Sequence, residues 1–198
     1  MSKIGIIGAM ELEIETLKEK MNITKTVNKA NMNFFEGTLN DTEIVLVKCG
    51  IGKVNAASAT AYLIGEDKAD YILNAGLSGA VSRLKREDMV AGTKYIECDF
   101  ALTAIGYAPG VKADGQRYLY EADPTLLSYA LQSEGIIAAP TGTGDIFLAD
   151  KVKKDFYKDT FGIEAFDMET AAIAAVCDKA EIPMLSLRKI SDDADDSS

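Results

Sequence analysis

The sequence contains no histidine, no tryptophan and only three cysteines among its 198 residues. The absence of histidine excludes Ser-His-Asp and Cys-His catalysis and most zinc chemistry, so we expect no metal site. Cys49, Cys98 and Cys177 are widely spaced and form no C-x-x-C pair, which predicts reduced, buried thiols. Any acid–base chemistry must therefore use carboxylates, Tyr, Lys or Cys.

Long apolar runs and basic residues are also scarce. No segment approaches the ~20 apolar residues of a membrane span, and Met1-Ser2-Lys3 leads directly into a strand-like run rather than a signal peptide, which predicts a cytoplasmic protein that does not bind membranes. The chain has 21 Lys and Arg against 31 Asp and Glu, a formal charge of −10. This balance disfavours nucleic acid as a partner, because that affinity depends on clustered basic residues. A small neutral or cationic ligand fits better.

Apolar residues make up 47% of the sequence, enough for one substantial core, and the length is too short for two ordinary domains. Strand-like and helical patterns alternate, which predicts a single α/β domain over 1–198 with a mixed central sheet and helices on both faces. The predicted strands are 3–9, 33–39, 43–49, 71–75, 89–97, 101–105, 136–139, 163–166 and 184–190. The predicted helices are 10–21, 53–64, 124–134, 149–157 and 168–179.

Glycine-rich segments interrupt this pattern at two places. Residues 76–79 (GLSG) predict a turn that ends the strand before them, and 106–116 predict a long loop of the kind that is often functional. The acidic run at 192–198 follows a strand directly, so we expect that a closing C-terminal helix is missing. Gly5-x-x-Gly8 does not match the dinucleotide pattern G-x-G-x-x-G, which leaves close approach of the backbone to a ligand or helix as the better interpretation.

Three carboxylates lie at predicted strand ends on one side of the sheet. Glu13 borders the apolar stripe of the first helix and is either a general base or a partner of the helix dipole. Glu169 follows a strand and either binds sugar hydroxyls or caps the next helix. Asp192 follows the last strand and is either a general acid or part of a solvated acidic tail. Their predicted convergence favours a catalytic site.

Seven blocks in order resemble the 5'-methylthioadenosine/S-adenosylhomocysteine nucleosidase family, within the purine nucleoside phosphorylase-like superfamily. The likeness covers essentially the whole chain. It rests on IGIIGAMELE (4–13), GIGKVNAA (50–57), NAG (74–76), TAIGY (103–107), GDIF (144–147), ME (168–169) and ISD (190–192). The resemblance implies the phosphorylase/hydrolase-like fold, hydrolysis of the N-glycosidic bond of both nucleosides, and no cofactor.

The resemblance also implies roles for individual residues. Glu13 matches the base that activates water, and Asp192 matches the acid that protonates the adenine at N7, supported by Ser191. Glu169 and Met168 match the ribose contacts. Phe147 matches the aromatic residue that stacks on the base, and the backbone of Leu148 matches the group that reads the base edge. The remaining pocket residues are Ile51, Leu77, Ser78 and Gly79.

By the same resemblance the protein is a homodimer. Ile105, Tyr107 and Pro109 match a segment that reaches into the neighbouring subunit's pocket near the 5' substituent. The sequence departs from the family pattern at Gly76-Leu77-Ser78-Gly79, at Asp167, Ile105 and Lys189, and around Cys98-Asp99, where a histidine is missing. These departures leave the 5' group of the substrate open.

Three alternatives stay open at this point. A phosphorylase of the same superfamily needs cationic phosphate ligands, and we expect no arginine near Gly8 or Gly76 except Arg83, which we place on the surface. Futalosine hydrolase differs in the 5' group that it accepts. A nucleoside-binding protein without turnover would share the pocket, although retention of Glu13, Glu169 and Asp192 argues against it.

Overall fold

A computed structural model of the chain describes residues 2–194, apart from the Asp114 side chain. The strands are β1 (Lys3–Gly8), β2 (Asn22–Lys29), β3 (Met32–Leu39), β4 (Thr42–Lys48), β5 (Tyr71–Ala80), β6 (Met89–Glu97), β7 (Leu119–Glu121), β8 (Ile136–Thr143), β9 (Ala165–Asp167) and β10 (Met184–Asp192). The helices are α1 (Glu11–Lys20), α2 (Lys53–Gly65), α3 (Pro124–Ala130), α4 (Lys151–Phe161) and α5 (Thr170–Ala180). Within the described residues, no helix is long and apolar enough to cross a membrane.

The strands form one mixed sheet. Its order is β10-β6-β8-β9-β5-β1-β4-β3-β2, with β7 added beside β6. A further pairing of β10 with β5 joins β10, β6, β8, β9 and β5 into a closed ring, and the remaining strands extend from β5. β1 and β10 both run parallel to β5, so their carboxyl ends meet at one edge.

Alternation along β1 shows how the two faces of the sheet are covered. Ile6 packs in a cluster with Ile14 and Met21 of the α1 region, whereas its neighbour Ile7 packs with Ala56 and Leu63 of α2. Successive side chains of a strand point to opposite faces, so α1 and α2 lie on opposite sides of the sheet. α5 packs against α2 and completes that layer. The predicted α/β class is confirmed.

Two sequence-based predictions of local structure were wrong, and two strands were missed. Residues 76–79 are not a turn, because β5 continues through them to Ala80 between its neighbours β10 and β9. Residues 101–105 are not a strand, and a short 3₁₀ turn occupies Thr103–Ile105. β2 and β7 were not predicted at all. Residues 195–198, at the end of the acidic run, lie outside the described residues. The expectation that a closing C-terminal helix is missing therefore stays a prediction.

Candidate active site

The strand ends surround one cavity of about 360 Å³. It opens where the residues that follow β1, β4, β8 and β9 meet the carboxyl-terminal parts of β5 and β10, the kind of strand-end position at which α/β sheets bind ligands. Its lining consists of Ala9, Met10, Glu13, Ile51, Leu77, Ser78, Gly79, Ile146, Phe147, Leu148, Phe166, Asp167, Met168, Glu169, Ser191, Asp192 and Ala194. Glu13, Glu169 and Asp192 therefore share one cavity, as the sequence predicts.

Glu13 is held by three backbone N–H groups. Its Oε2 accepts from Ala9 N (2.7 Å) and Met10 N (2.9 Å), and its Oε1 accepts from Leu77 N (2.9 Å). The first two contacts cap the start of α1, and the third ties this helix to β5. The capping interpretation and the site interpretation of Glu13 are therefore compatible, since the cap also fixes the carboxylate at the cavity wall.

Glu169 and Asp167 are both buried, only 5% exposed. The Glu169 Oε1 accepts from Gly52 N (3.0 Å), which joins the end of β9 to the start of α2. Burial raises the pKa of Glu169, with Asp167 adding to the increase and Arg188 opposing it. The Asp167 carboxylate accepts from Thr143 Oγ1 (2.8 Å) and from the backbone N–H groups of Glu169 and Thr170 (3.0 Å each), which fixes the first turn of α5.

Arg188 corrects an expectation from the sequence. Arg83 does lie at the surface, in an ion pair with Glu164, but it is not the arginine that matters for Gly76. Arg188 stands opposite Gly76 in the parallel register of β10 with β5. It is 1% exposed, and its Nη2 lies 3.0 Å from Asp167 Oδ2 and 3.0 Å from Glu169 Oε2.

One nitrogen of Arg188 lacks a hydrogen-bond partner within the part of the chain that the structure describes. Nε donates to Ser78 Oγ (3.2 Å) and Asp167 Oδ2 (3.1 Å), but Nη1 is buried without a hydrogen-bond acceptor among the described residues. Burial lowers the pKa of Arg188, and the charges of Asp167, Glu169 and Glu13 outweigh this effect and raise it. The guanidinium therefore stays charged and keeps one free donor close to the Glu13 carboxylate.

Gly76 separates Glu13 from Arg188. A Cβ at Gly76 would overlap Arg188 Nη1 and would lie 2.6 Å from Glu13 Oε1. Any side chain here would displace the carboxylate, the guanidinium or both. The absence of a side chain at position 76 is what lets these two groups approach the same point.

Asp192 and Ser191 form the opposite wall. Ser191 Oγ donates to Asp192 Oδ2 (2.7 Å), and Ala194 N donates to Asp192 Oδ1 (2.9 Å). A Cβ at Gly79 would lie 2.8 Å from Asp192 Oδ1, so Gly79 also leaves room for a carboxylate. Both polar residues are half-buried, so a ligand in the cavity can reach them.

The rest of the lining is mainly apolar. Leu148 is buried, whereas Phe147 and Ile51 are 69% and 52% exposed although both line the cavity. An exposed aromatic ring at the mouth of a cavity offers a flat surface for stacking. Met168, which directly precedes Glu169 in the chain, also lines the cavity. The arrangement suits a planar base on one side and a hydroxylated group on the other.

Ile105, Tyr107 and Pro109 do not line the cavity of their own chain. Ile105 is 70% exposed and Tyr107 is 39% exposed, and Pro109 is half-buried. The sequence prediction for these three residues concerns a neighbouring subunit, so it stays a prediction.

Some lining residues were not identified from the sequence. The unpredicted members of the lining are Ala9, Met10, Ile146, Phe166, Asp167 and Ala194. Arg188, buried in β10 beside Gly76, is another residue for which the sequence pattern predicts no role. A usable signal existed for it, because an arginine in an otherwise apolar central strand must be paired with carboxylates when buried. Asp167 was noted only as a departure from the family pattern.

Comparison with known proteins agrees with this geometry. Residues 3–198 match the model of the phosphorylase superfamily. A 5'-methylthioadenosine/S-adenosylhomocysteine nucleosidase from Geobacillus sp. (strain WCH70) is 37% identical over 198 residues, covering 96% of this chain and 85% of that protein.

Solved structures give the same result. The nucleosidase of that name from Neisseria meningitidis, in complex with methylthio-immucillin-A, superposes with a TM-score of 0.92 at 34% identity, covering 100% of this chain and 88% of that one. A futalosine hydrolase of Helicobacter pylori strain 26695 superposes with a TM-score of 0.94 at 28% identity, covering 99% of this chain and 87% of that one. The chain therefore belongs to the phosphorylase superfamily and, within it, to the 5'-methylthioadenosine/S-adenosylhomocysteine nucleosidase family.

Proposed function

We propose that this protein is a hydrolase that cleaves the N-glycosidic bond of 5'-methylthioadenosine and S-adenosylhomocysteine, releasing adenine and the 5-thio-substituted ribose. The observation that carries the proposal is the convergence of Glu13, Glu169 and Asp192, from distant parts of the chain, on one cavity. The nucleosidase relatives, 37% identical in the case of the Geobacillus protein, support the same reaction.

The chemistry of the bond explains why three carboxylates suffice. Breaking the C–N bond develops positive charge on the sugar and negative charge on the departing base. In the proposed mechanism Glu13 takes a proton from the attacking water, and Asp192, supported by Ser191, delivers a proton to N7 of adenine. Glu169 accepts hydrogen bonds from the ribose hydroxyls beside Met168. Phe147 stacks on the base, and the Leu148 backbone reads its edge.

Arg188 favours water over phosphate as the nucleophile. Its free Nη1 lies next to the Glu13 carboxylate, where it can donate to the oxygen of an attacking water. The positive charge is already compensated by Asp167 and Glu169, with Glu13 close by. A phosphate dianion placed at this point would meet three carboxylates and one guanidinium, which disfavours phosphorolysis.

The remaining parts of the proposal concern assembly and setting. Ile51, Leu77, Ser78 and Gly79 complete the substrate pocket of one subunit. A homodimer would close it further, since Ile105 and Tyr107 are exposed apolar side chains outside the cavity of their own chain. We place the enzyme in the cytoplasm, where its products would enter methionine salvage and adenine recovery.

Product analysis tests the proposal. The purified protein is incubated with methylthioadenosine, S-adenosylhomocysteine or futalosine, with and without phosphate, and the products are separated by chromatography. We expect adenine and free 5-thioribose derivatives from the first two substrates, at rates that do not depend on phosphate. A ribose 1-phosphate product would indicate a phosphorylase. Cleavage of futalosine alone would indicate a futalosine hydrolase. Binding without cleavage would indicate a nucleoside-binding protein without turnover.

A further inference from the structure

A cluster of charged side chains lies outside the cavity and joins four parts of the chain, namely the start of α2, the end of β6, Lys112 and the β8–α4 loop. The loop-anchoring cluster consists of Lys53, Glu97, Asp99, Lys112 and Asp145. Lys53 is the first residue of α2, Glu97 and Asp99 lie at the end of β6, and Asp145 lies in the loop between β8 and α4. None of the five lines the cavity.

Asp99 is the centre of the cluster, because its two oxygens bind two different segments. Oδ1 accepts from Lys53 Nζ at 2.7 Å, and Oδ2 accepts from the backbone N–H of Asp145 at 2.8 Å. Asp145 in turn accepts from the backbone N–H of Lys53 at 2.8 Å. The three residues therefore form a closed cycle of hydrogen bonds between the end of β6, the start of α2 and the β8–α4 loop.

Glu97 extends the cluster to Lys112, the residue that follows segment 100–111. Its Oε1 lies 3.3 Å from Lys53 Nζ, and its Oε2 pairs with Lys112. The side chains of Lys53, Glu97, Asp99 and Lys112 are all less than 20% exposed, so solvent screens these pairs less than it screens surface pairs. Segment 100–111, which carries Ile105, Tyr107 and Pro109, thus begins and ends at residues that the cluster holds.

Two of these segments, the start of α2 and the β8–α4 loop, also contact or line the cavity. Gly52, directly before Lys53, donates its N–H to Glu169 Oε1, and Phe147 follows Asp145 by two residues. A Cβ on Gly52 would lie 3.2 Å from Asp145 Oδ1, so the two loops are in close contact. The position of Phe147 relative to Glu169 therefore depends on the cycle through Asp99.

We propose that Asp99, acting through Lys53 and Asp145, is a positioning residue of this active site. It fixes loop 144–149, which carries Phe147, and segment 100–111 relative to Glu169. The inference rests on the proposed function for the substrate contacts of these loops, and it concerns residues that touch no substrate themselves. Because the contacts of these loops with the nucleoside are already made in the bound substrate, loss of the cycle weakens substrate binding more than it slows the chemical step.

Asp99→Asn is the most direct variant. It keeps the size of the side chain but turns one acceptor oxygen into a donor, which must then face either the Lys53 ammonium or the Asp145 N–H. We expect KM for methylthioadenosine to rise about tenfold while kcat changes less than about threefold. Lys53→Met should give the same split, and Lys53→Arg should restore KM toward the wild-type value, because a guanidinium can still bridge Asp99 and Glu97.

Lys29→Met is the matched control. Lys29 is a similarly buried lysine with two carboxylate partners, Asp67 (2.6 Å) and Glu66 (3.4 Å), and neither partner lines the cavity. It should lose stability comparably to Lys53→Met while its KM stays within about twofold of the wild type. An equal rise of KM in Lys29→Met would mean that the effect is only general destabilisation, and it would overturn the proposal.

Hydrogen–deuterium exchange separates this proposal from the proposed function, because it needs no substrate. Peptides covering 100–111 and 144–149 should exchange faster in Lys53→Met and Asp99→Asn than in the wild type, and at the wild-type rate in Lys29→Met. If the wild type releases no adenine, the proposed function fails and the exchange data alone decide the positioning role. Wild-type exchange and wild-type KM in Lys53→Met would overturn it, even if Asp99→Asn does not fold.

Discussion

Two neighbouring aspartates at the end of β10 have the same chemistry and different surroundings. Asp192 lines the cavity and accepts hydrogen bonds from Ser191 and Ala194 N. Asp193 is exposed, and only its backbone carbonyl makes a described contact, with Lys154. A role in proton transfer requires contact with the ligand, so the two residues should respond differently to the same substitution.

Asp192→Asn should lower kcat by about 10²- to 10⁴-fold, the usual contribution of a general acid, because an amide cannot protonate the departing purine. Binding of methylthioadenosine, measured by calorimetry with the variant, should stay within about tenfold of the wild type, since the substitution removes little ground-state contact. Asp193→Asn is the control and should keep the wild-type kcat. Near-normal turnover in Asp192→Asn would reassign the acid to another residue.

At this scale the sequence predicts the acidic residues of the site and not the basic one. Glu13, Glu169 and Asp192 can be found because each follows a predicted strand, and strand ends of parallel strands meet at one edge. Arg188 lies within a strand, and its position depends on the register of β10 against β5. A pattern of apolar residues does not determine which residue of a neighbouring strand faces Gly76.

The pairing of β5 with β10 is the element-scale feature on which the site depends. Arg188 faces Gly76, and Ser78 of β5 accepts from Arg188 Nε, so one strand supplies both the space and a hydrogen-bond partner for the guanidinium of the other. Leu77 N, in the same part of β5, donates to Glu13. A substitution that moves β5 should therefore disturb the Glu13 carboxylate and the Arg188 guanidinium together.

Gly76→Ala is such a substitution. The new methyl group would overlap Arg188 Nη1 and approach Glu13 Oε1, so we expect a loss of about 1 to 3 kcal/mol in the free energy of unfolding, as for other overpacked sites. The adenine-release rate should fall by more than this loss of folded protein explains, because the substitution acts on two groups of the site. Urea denaturation and steady-state kinetics measure the two effects separately.

Gly65→Ala is the control for Gly76→Ala. Gly65 is the last residue of α2, and a Cβ there would meet nothing within 4 Å. Alanine should therefore leave the activity unchanged and should leave stability equal or slightly higher, since it restricts the unfolded chain. If Gly76→Ala behaved like Gly65→Ala, Glu13 and Arg188 could not both occupy the positions described above.

The elements themselves were predictable where the apolar pattern was strong. β1, α1, α2 and β6 follow from periodicity, and their ends differ from prediction by at most one residue. β2 was missed because it is an edge strand of alternating, mostly polar residues, and β7 because it has only three residues. The Gly76–Gly79 segment looked like a turn because its glycines favour turns, but pairing with β10 along its whole length, and with β9 at Gly79, keeps it extended.

At the scale of the whole molecule, the ring of strands encloses polar as well as apolar groups. Thr170 Oγ1 and Ser186 Oγ both donate to Asn74 Oδ1, at 2.8 and 3.1 Å, and Tyr95 Oη accepts from Ser186 N at 2.9 Å. These groups lie beneath Asp167 and join α5, β5, β6 and β10. The floor of the active site is therefore a buried hydrogen-bonded network, which favours one fixed arrangement of the strands around it.

The three buried cysteines make the stability of the whole fold depend on pH in alkaline solution. Cys49, Cys98 and Cys177 are buried, and burial is the largest cause that raises the pKa of each thiol from 9.0 to about 12. In the unfolded chain these thiols lose their protons near pH 9, whereas in the folded chain they keep them until about pH 12. Stability that the buried thiols contribute is therefore complete below pH 9 and is lost as the pH rises toward 12.

Cys177 allows this response to be measured for one group. It lies in α5, and burial of the thiol raises its pKa. Between about pH 10 and pH 11, where the unfolded thiol is mostly ionised and the folded thiol is mostly protonated, each such thiol lowers the free energy of unfolding by about 1 kcal/mol per pH unit. Urea denaturation of Cys177→Ala across this range should therefore give a slope shallower than that of the wild type by about this amount. Parallel slopes for the two proteins would mean that the folded thiol ionises as readily as the unfolded one, which its burial in the core makes unfavourable.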